Sequence, residues 1–144
     1  MEKLKMVKAE DQDILGLDES SFKASIIQLI LSKDTEKAVE LLSQKFRVRI
    51  PILGIGHTKG KKTALAVYSV VANTISFSDQ DQFFDPFVVL HEMYHCIRSR
   101  SGNHRGTERN ADKFALDYIA EYNKRIIQAG FGRPFQTNTA TSVD

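Results

Sequence analysis

The sequence predicts a single α+β domain, with N-terminal helices on a small twisted antiparallel-to-mixed sheet and two further helices after it. Three observations predict it. Apolar residues between 22 and 46 recur at helical spacing, from Phe22, Ile26, Ile27 and Ile30 to Ala38, Val39, Leu41, Leu42 and Phe46. Between 48 and 78 the pattern changes to short β-branched and aromatic runs separated by turn residues. Beyond 84, Asp85-Pro86 and Thr107 each look like the start of a helix, an N-cap followed by a helical pattern.

Taken in order, residues 1 to about 17 carry the acidic patch Glu10-Asp11-Gln12-Asp13 and are expected to be loosely ordered. The first helix is placed near Ser20 or Ser21, and Asp34-Thr35 caps a second. Val48, Ile50, Ile52, Leu53 and Ile55 suggest a strand, and Pro51 within it points to an edge or a bulge. Gly54 to Lys62 reads as a turn bearing Lys59, Lys61 and Lys62, and its His57 receives no role. Thr63 to Val71 is a strong strand, Ala72-Asn73 reverses the chain, and Thr74 to Ser78 returns antiparallel. Arg98 to Gly106 reads as a basic loop, and the last helix runs from about Glu108 to Ala129, ended by Gly130, Gly132 and Pro134. Residues 1–135 form one domain, and 136–144 are a flexible polar tail.

A chain of 144 residues can bury one real core, and 42% apolar with 26% charged residues is the composition of an ordinary globule. The net charge of +2 favours no particular partner. Cys96 is the sole cysteine, which excludes a disulfide scaffold. No apolar stretch is long enough to span a bilayer, so no membrane partner is expected. The basic start lacks the apolar core of a signal peptide, which leaves a cytoplasmic protein as the expectation. Arg98, Arg100 and Arg105, with the three lysines, lack the aromatic interleaving of a nucleic-acid surface, so a solvated loop is the better reading.

The chemistry lies in His91-Glu92-Met93-Tyr94-His95. Residues four apart on a helix stand about 40° apart around its axis, so both imidazoles can reach one ion. Val89, Leu90, Met93, Cys96 and Ile97 fall on the opposite, apolar arc, and Cys96 reads as a small buried hydrophobe. Two neutral nitrogen ligands with a carboxylate on their flank suit a metallohydrolase. Such a site needs a third protein ligand, and Glu108 is the candidate. Asp112, one turn later on the same face among Ala111 and Ala115, is placed to accept the second N–H of a ligating histidine. Taken alone, Glu108 and Asp112 read better as a dipole-favoured first-turn Glu and an exposed Asp; beside His91 and His95 they do not, because the basic loop brings this helix back antiparallel after only twelve intervening residues.

His91-Glu92-x-x-His95 followed by Glu108-x-x-Ala111-Asp112-x-Phe114-Ala115 resembles the signature of compact gluzincin metallopeptidases. The nearest are the ImmA/IrrE-like intracellular peptidases and the very small minigluzincins, and the resemblance covers roughly residues 64 to 120. It implies a zincin-like fold in which His91, His95 and Glu108 bind Zn²⁺. It further implies that Glu92 activates the zinc-bound water and that Asp112 orients a ligand. The substrate would be a peptide or protein, lying extended along Thr74 to Ser78 or its partner strand. ImmA/IrrE-like proteins usually have Gly where this chain has Tyr94, and no helix-turn-helix segment is visible.

His104 is a candidate to stabilise the oxyanion of the tetrahedral intermediate, against the plainer reading of an exposed loop residue. A terminal segment, 1–15 or 132–144, lying in the cleft would restrain such a peptidase. Two rival functions compete: a metal-binding regulatory module with little or no turnover, and a purely structural zinc site. A base beside the metal argues against the second.

Overall fold

The computed structural model describes residues 9–56, 64–102 and 104–130. The first helix, α1, spans Ala9–Leu15, where a loose segment is expected from the sequence. Asp11 is buried and accepts a hydrogen bond from Lys37 Nζ at 2.9 Å, while Ile14 and Leu15 pack on the core. Local acidity signalled disorder, and tertiary pairing overrides it. The residues of α1 dock on α2 (Glu19–Leu31) and α3 (Thr35–Phe46), while residues 1–8 and 132–144 of the terminal segments lie outside the described residues. Helix α2 starts ahead of Ser20, because the Asp18 carboxylate takes the Ser21 N–H at 2.8 Å. Helix α3 begins at Thr35 as expected, but Asp34 makes no side-chain cap; the buried Thr35 hydroxyl instead donates to the Phe83 carbonyl at 2.8 Å.

Among the described residues the sheet has three short strands, β1 (Ile52–Ile55), β2 (Ala66–Ser69) and β3 (Thr74–Phe77), in the order β1-β3-β2. β1 lies parallel to β3 and β2 antiparallel to it, so the sheet is mixed. Each strand is shorter than its sequence run. Pro51 is buried just ahead of β1, and Asn73, at φ 46, closes the β2–β3 turn. With β3 in the middle, Thr74 to Ser78 has no free edge to offer a substrate. Its partner β2 is paired on one side only among the described residues. Ala66, Tyr68, Ile75 and Phe77 form the buried face of the sheet. The turn lysines and His57 lie outside the described residues, as does the polar tail.

A short helix, α4 (Gln80–Phe83), occupies the approach to the motif and is capped by Asp79, which accepts from Gln82 N at 3.0 Å. Helix α5 spans Pro86–Ser101, with Asp85 taking the N–H groups of Phe87 (2.9 Å) and Val88 (3.4 Å). Arg98 to Ser101, expected in a loop, are its last turn; Ser101 Oγ donates to Ile97 O at 2.6 Å. Helix α6 spans Glu108–Ala129, between a Thr107 cap and the left-handed Gly130.

α5 packs between the sheet and α6, and also touches α2 and α3. The two-faced helix expected from the sequence is in fact buried nearly all round: Val88, Glu92 and His95 are as enclosed as Val89, Leu90, Met93, Cys96 and Ile97. One core of α2, α3, sheet and α5 residues joins Ala115, Tyr118 and Ile119 of α6. Among the described residues no helix is long and apolar enough to cross a membrane.

Candidate metal centre

His91 and His95 stand one turn apart on α5, their ring centroids separated by 5.1 Å. Glu108 opens α6, and that helix returns alongside α5, so its carboxylate meets both rings. Oε1 lies 2.8 Å from His91 Nε2, and Oε2 lies 3.0 Å from His95 Nε2. The three residues each offer one ligand atom, all within 4.8 Å of one another.

The outward nitrogens are fixed by their partners. His91 Nδ1 lies 2.9 Å from Asp112 Oδ1, and His95 Nδ1 lies 2.7 Å from the Arg105 carbonyl oxygen. Carbonyls and carboxylates only accept, so Nδ1 carries the proton on both rings. The neutral tautomer then leaves a lone pair on each Nε2, directed at the cluster. His95 Nε2 is fully buried and has no hydrogen-bond partner among the described residues; its 3.0 Å approach to Glu108 lacks hydrogen-bonding geometry. Bare nitrogen lone pairs against carboxylate oxygens repel, and a shared cation removes that repulsion. The donor set of two imidazoles and one carboxylate fits Zn²⁺, with a position open for water.

Glu92 is buried beside these residues, 4.0 Å from His91 Nε2 through one oxygen, and its Oε1 has no partner. Burial pushes its carboxyl up to about 7, and the Glu108 charge adds to that; His91, Arg105 and the backbone N–H of Tyr68 pull the other way. Burial also holds the His95 imidazole below its ordinary value, which keeps it neutral and ready to coordinate. Partial burial raises the Glu108 carboxyl, but its neighbours His91, His95 and Arg105 outweigh it and leave it lowered, the direction in which a bound cation would also hold it.

The structure thus gathers His91, His95, Glu108, Glu92 and Asp112. His104 is engaged in its own exposed loop, where its Nδ1 accepts the Gly106 N–H at 3.1 Å. Two participants escaped the sequence reading, the Arg105 carbonyl and the Tyr68 amide. Both are backbone groups, and a backbone group leaves no mark in residue identity. Gly106 is a partial signal. It sits at φ 77, and a Cβ there would lie 2.6 Å from the Tyr94 ring, so glycine is required beside the carbonyl that orients His95. Tyr94 in turn packs on the His95 and Phe114 rings.

Compared with known proteins, the chain matches no family model, no curated protein and no solved structure.

Proposed function

We propose that this chain is a zinc-dependent metallopeptidase of the compact gluzincin type, holding the ion with His91, His95 and Glu108. The observation that carries the reading is the pairing of that cluster with Glu92. A carboxyl poised at about 7 is of little use to a purely structural site, and is suited to moving a proton near neutral pH.

When bound, a divalent ion of this kind acidifies water and polarises a peptide carbonyl. The chain supplies the rest. Glu92 takes a proton from the attacking water and delivers it to the departing amine nitrogen. Asp112 and the Arg105 carbonyl hold the imidazoles in the ligating tautomer. The β2 edge, unpaired among the described residues, supports an extended peptide as substrate. The reading keeps the chain in the cytoplasm, where its single thiol stays reduced.

Metal content per chain and cleavage of casein test this together. Wild type is expected to carry about one zinc and to cleave, and Glu108→Ala to lose both. Glu92→Gln is expected to keep the zinc and lose at least about 100-fold in kcat. Zinc without cleavage in the wild type would favour a regulatory metal-binding module, and no zinc after supplementation would end the metal reading.

A further inference from the structure

Charge is divided unevenly along this chain. From Leu41 to Ser78 there is no acidic residue, against six basic ones (Lys45, Arg47, Arg49, Lys59, Lys61 and Lys62). The net charge over all 144 residues is only +2, so the remainder is net acidic. The segment without acids is the one that forms the sheet.

Exposed apolar side chains follow the same division. Of the nine large hydrophobics exposed among the described residues, Ile50, Ile52, Val70 and Val71 gather at one end of the sheet. Val71 is 99% exposed in the turn between β2 and β3, and Ile52 is 65% exposed at the start of β1. Buried Asn73 gathers them. Its Nδ2 donates to the Ile50 carbonyl at 3.3 Å, its backbone N–H to the Val70 carbonyl at 3.3 Å, and its own carbonyl accepts the Ile52 N–H at 2.9 Å. Arg47 and Arg49 are exposed on the segment leading to Ile50, and neither has an ion-pair partner among the described residues.

The backbone of this tip is turned inward. Arg100 reaches across from the end of α5, placing Nη2 on the Val70 carbonyl at 2.6 Å and Nε on the Tyr68 hydroxyl at 3.1 Å. That hydroxyl donates to Asn73 Oδ1 at 2.8 Å, and the Thr74 hydroxyl donates to the Ala72 carbonyl at 2.9 Å. The carbonyls of Ile50, Val70, Ala72 and Asn73 are thus all paired within the protein. Unpaired carbonyls keep a loop out of hydrocarbon, because nothing there can bond them. Here four are already satisfied, and aliphatic side chains face outward.

A partner for this tip has to offer hydrocarbon and negative charge together. Protein interfaces centre on packed aromatic and Arg anchors, and single-stranded nucleic acid stacks on exposed aromatic rings. The four exposed side chains are aliphatic, and Tyr68 behind them is buried. An anionic bilayer surface demands no aromatic group. The expectation of no membrane partner concerned a spanning segment, and a tip that enters only the headgroup boundary needs none.

We propose that the β2–β3 turn, with the residues entering β1, is a docking surface for an anionic lipid bilayer. Val71, Val70, Ile52 and Ile50 enter the headgroup boundary, and Arg47 and Arg49 meet the negative headgroups. The contact is weak and reversible, and it stands apart from the metal site and its chemistry.

Sedimentation with vesicles of phosphatidylcholine, alone or mixed with phosphatidylserine, tests it. Wild type is expected to bind the mixed vesicles and to be released by added salt. Val71→Asp should weaken binding at least about tenfold, and Arg47→Ala/Arg49→Ala about tenfold or more, both with Tm unchanged because these side chains are exposed. The chain has no tryptophan, so Val71→Trp supplies a single reporter. Its emission should move to the blue and be quenched by brominated lipid, while that of Ile127→Trp, exposed on α6, should not change. Failure of wild type to bind the mixed vesicles overturns the proposal. Binding that Val71→Asp leaves within about twofold also overturns it, since charge alone would then be at work and any polyanion, nucleic acid included, would serve. A reporter at 71 that stays in water while the protein sediments would place the contact on another face, and the proposal falls.

Discussion

The α2–α3 side of the molecule and the α5–α6 junction are both buried, and they treat polar atoms in opposite ways. On the first side, Thr35 donates to Phe83 O and Ser43 to Val39 O, and the rest is Phe22, Ile26, Ile27, Leu41 and Leu42. At the second, Glu92 Oε1 and His95 Nε2 are enclosed with no partner among the described residues. Burying an unpaired polar atom costs of the order of 1–3 kcal/mol, so the junction is held in its unfavourable state by packing around it. The difference teaches where stability is made and where it is used. α5 is pinned by apolar contacts along most of its length, and that rigidity lets it carry groups that would otherwise seek water.

The sharpest way to break the comparison is to attack the side that makes stability. Phe22→Ala removes a fully buried ring in edge contact with Tyr118, and is expected to cost about 3–5 kcal/mol by chemical denaturation. The molecules that remain folded should bind zinc as wild type does. A loss of zinc affinity in the folded fraction would mean that the two regions are not separable.

The next effect has the opposite sign. The Glu92 carboxyl ordinarily ionises near 4.5 and is lifted to about 7 in the folded protein. Between those values the folded chain holds more protons than the unfolded chain, so this group lowers stability progressively as pH rises through that window. Metal-free Glu92→Gln is therefore expected to match wild type near pH 4 and to exceed it by up to about 3 kcal/mol at pH 8. His95, lowered by burial, works in the other direction, gaining stability as pH rises towards 6.5, and comparison at equal pH cancels it. Equal stability of the two proteins at every pH would mean that Glu92 is not strained.

The smallest effect sharpens the roles within the site. Asp112→Asn keeps the shape but weakens the acceptor for His91 Nδ1, and zinc affinity measured by chelator competition should fall about 10–100-fold. No change would mean that His91 is oriented by packing alone.

Much of this was legible in the chain. The caps at Asp85 and Thr107, the bounds of α6 and the hairpin turn at Asn73 follow from local chemistry, and the spacings of His91, His95, Glu108 and Asp112 from helix geometry. What escaped depends on partners distant in sequence. Helix α1 exists because Lys37 reaches Asp11 and the core accepts Ile14. The central place of β3 depends on β1 pairing parallel to it, which a three-strand pattern cannot specify. Arg100 looked like a solvated loop charge because the serines around it resemble a loop; its meaning lies in Tyr68, thirty-two residues earlier.

The contact between Tyr94 and Gly106 carries a consequence for ancestry. The aromatic ring fills the space that a side chain at 106 would need, and the left-handed backbone there favours glycine as well, so the ring depends on the glycine but the glycine does not depend on the ring. A lineage that lost the tyrosine would still need the glycine for its left-handed backbone, and one that gained the tyrosine must already have had it. Relatives of this chain are therefore to be sought by aromatic-with-glycine at a spacing of twelve, straddling the second histidine, as much as by the His91-Glu92-x-x-His95 run itself.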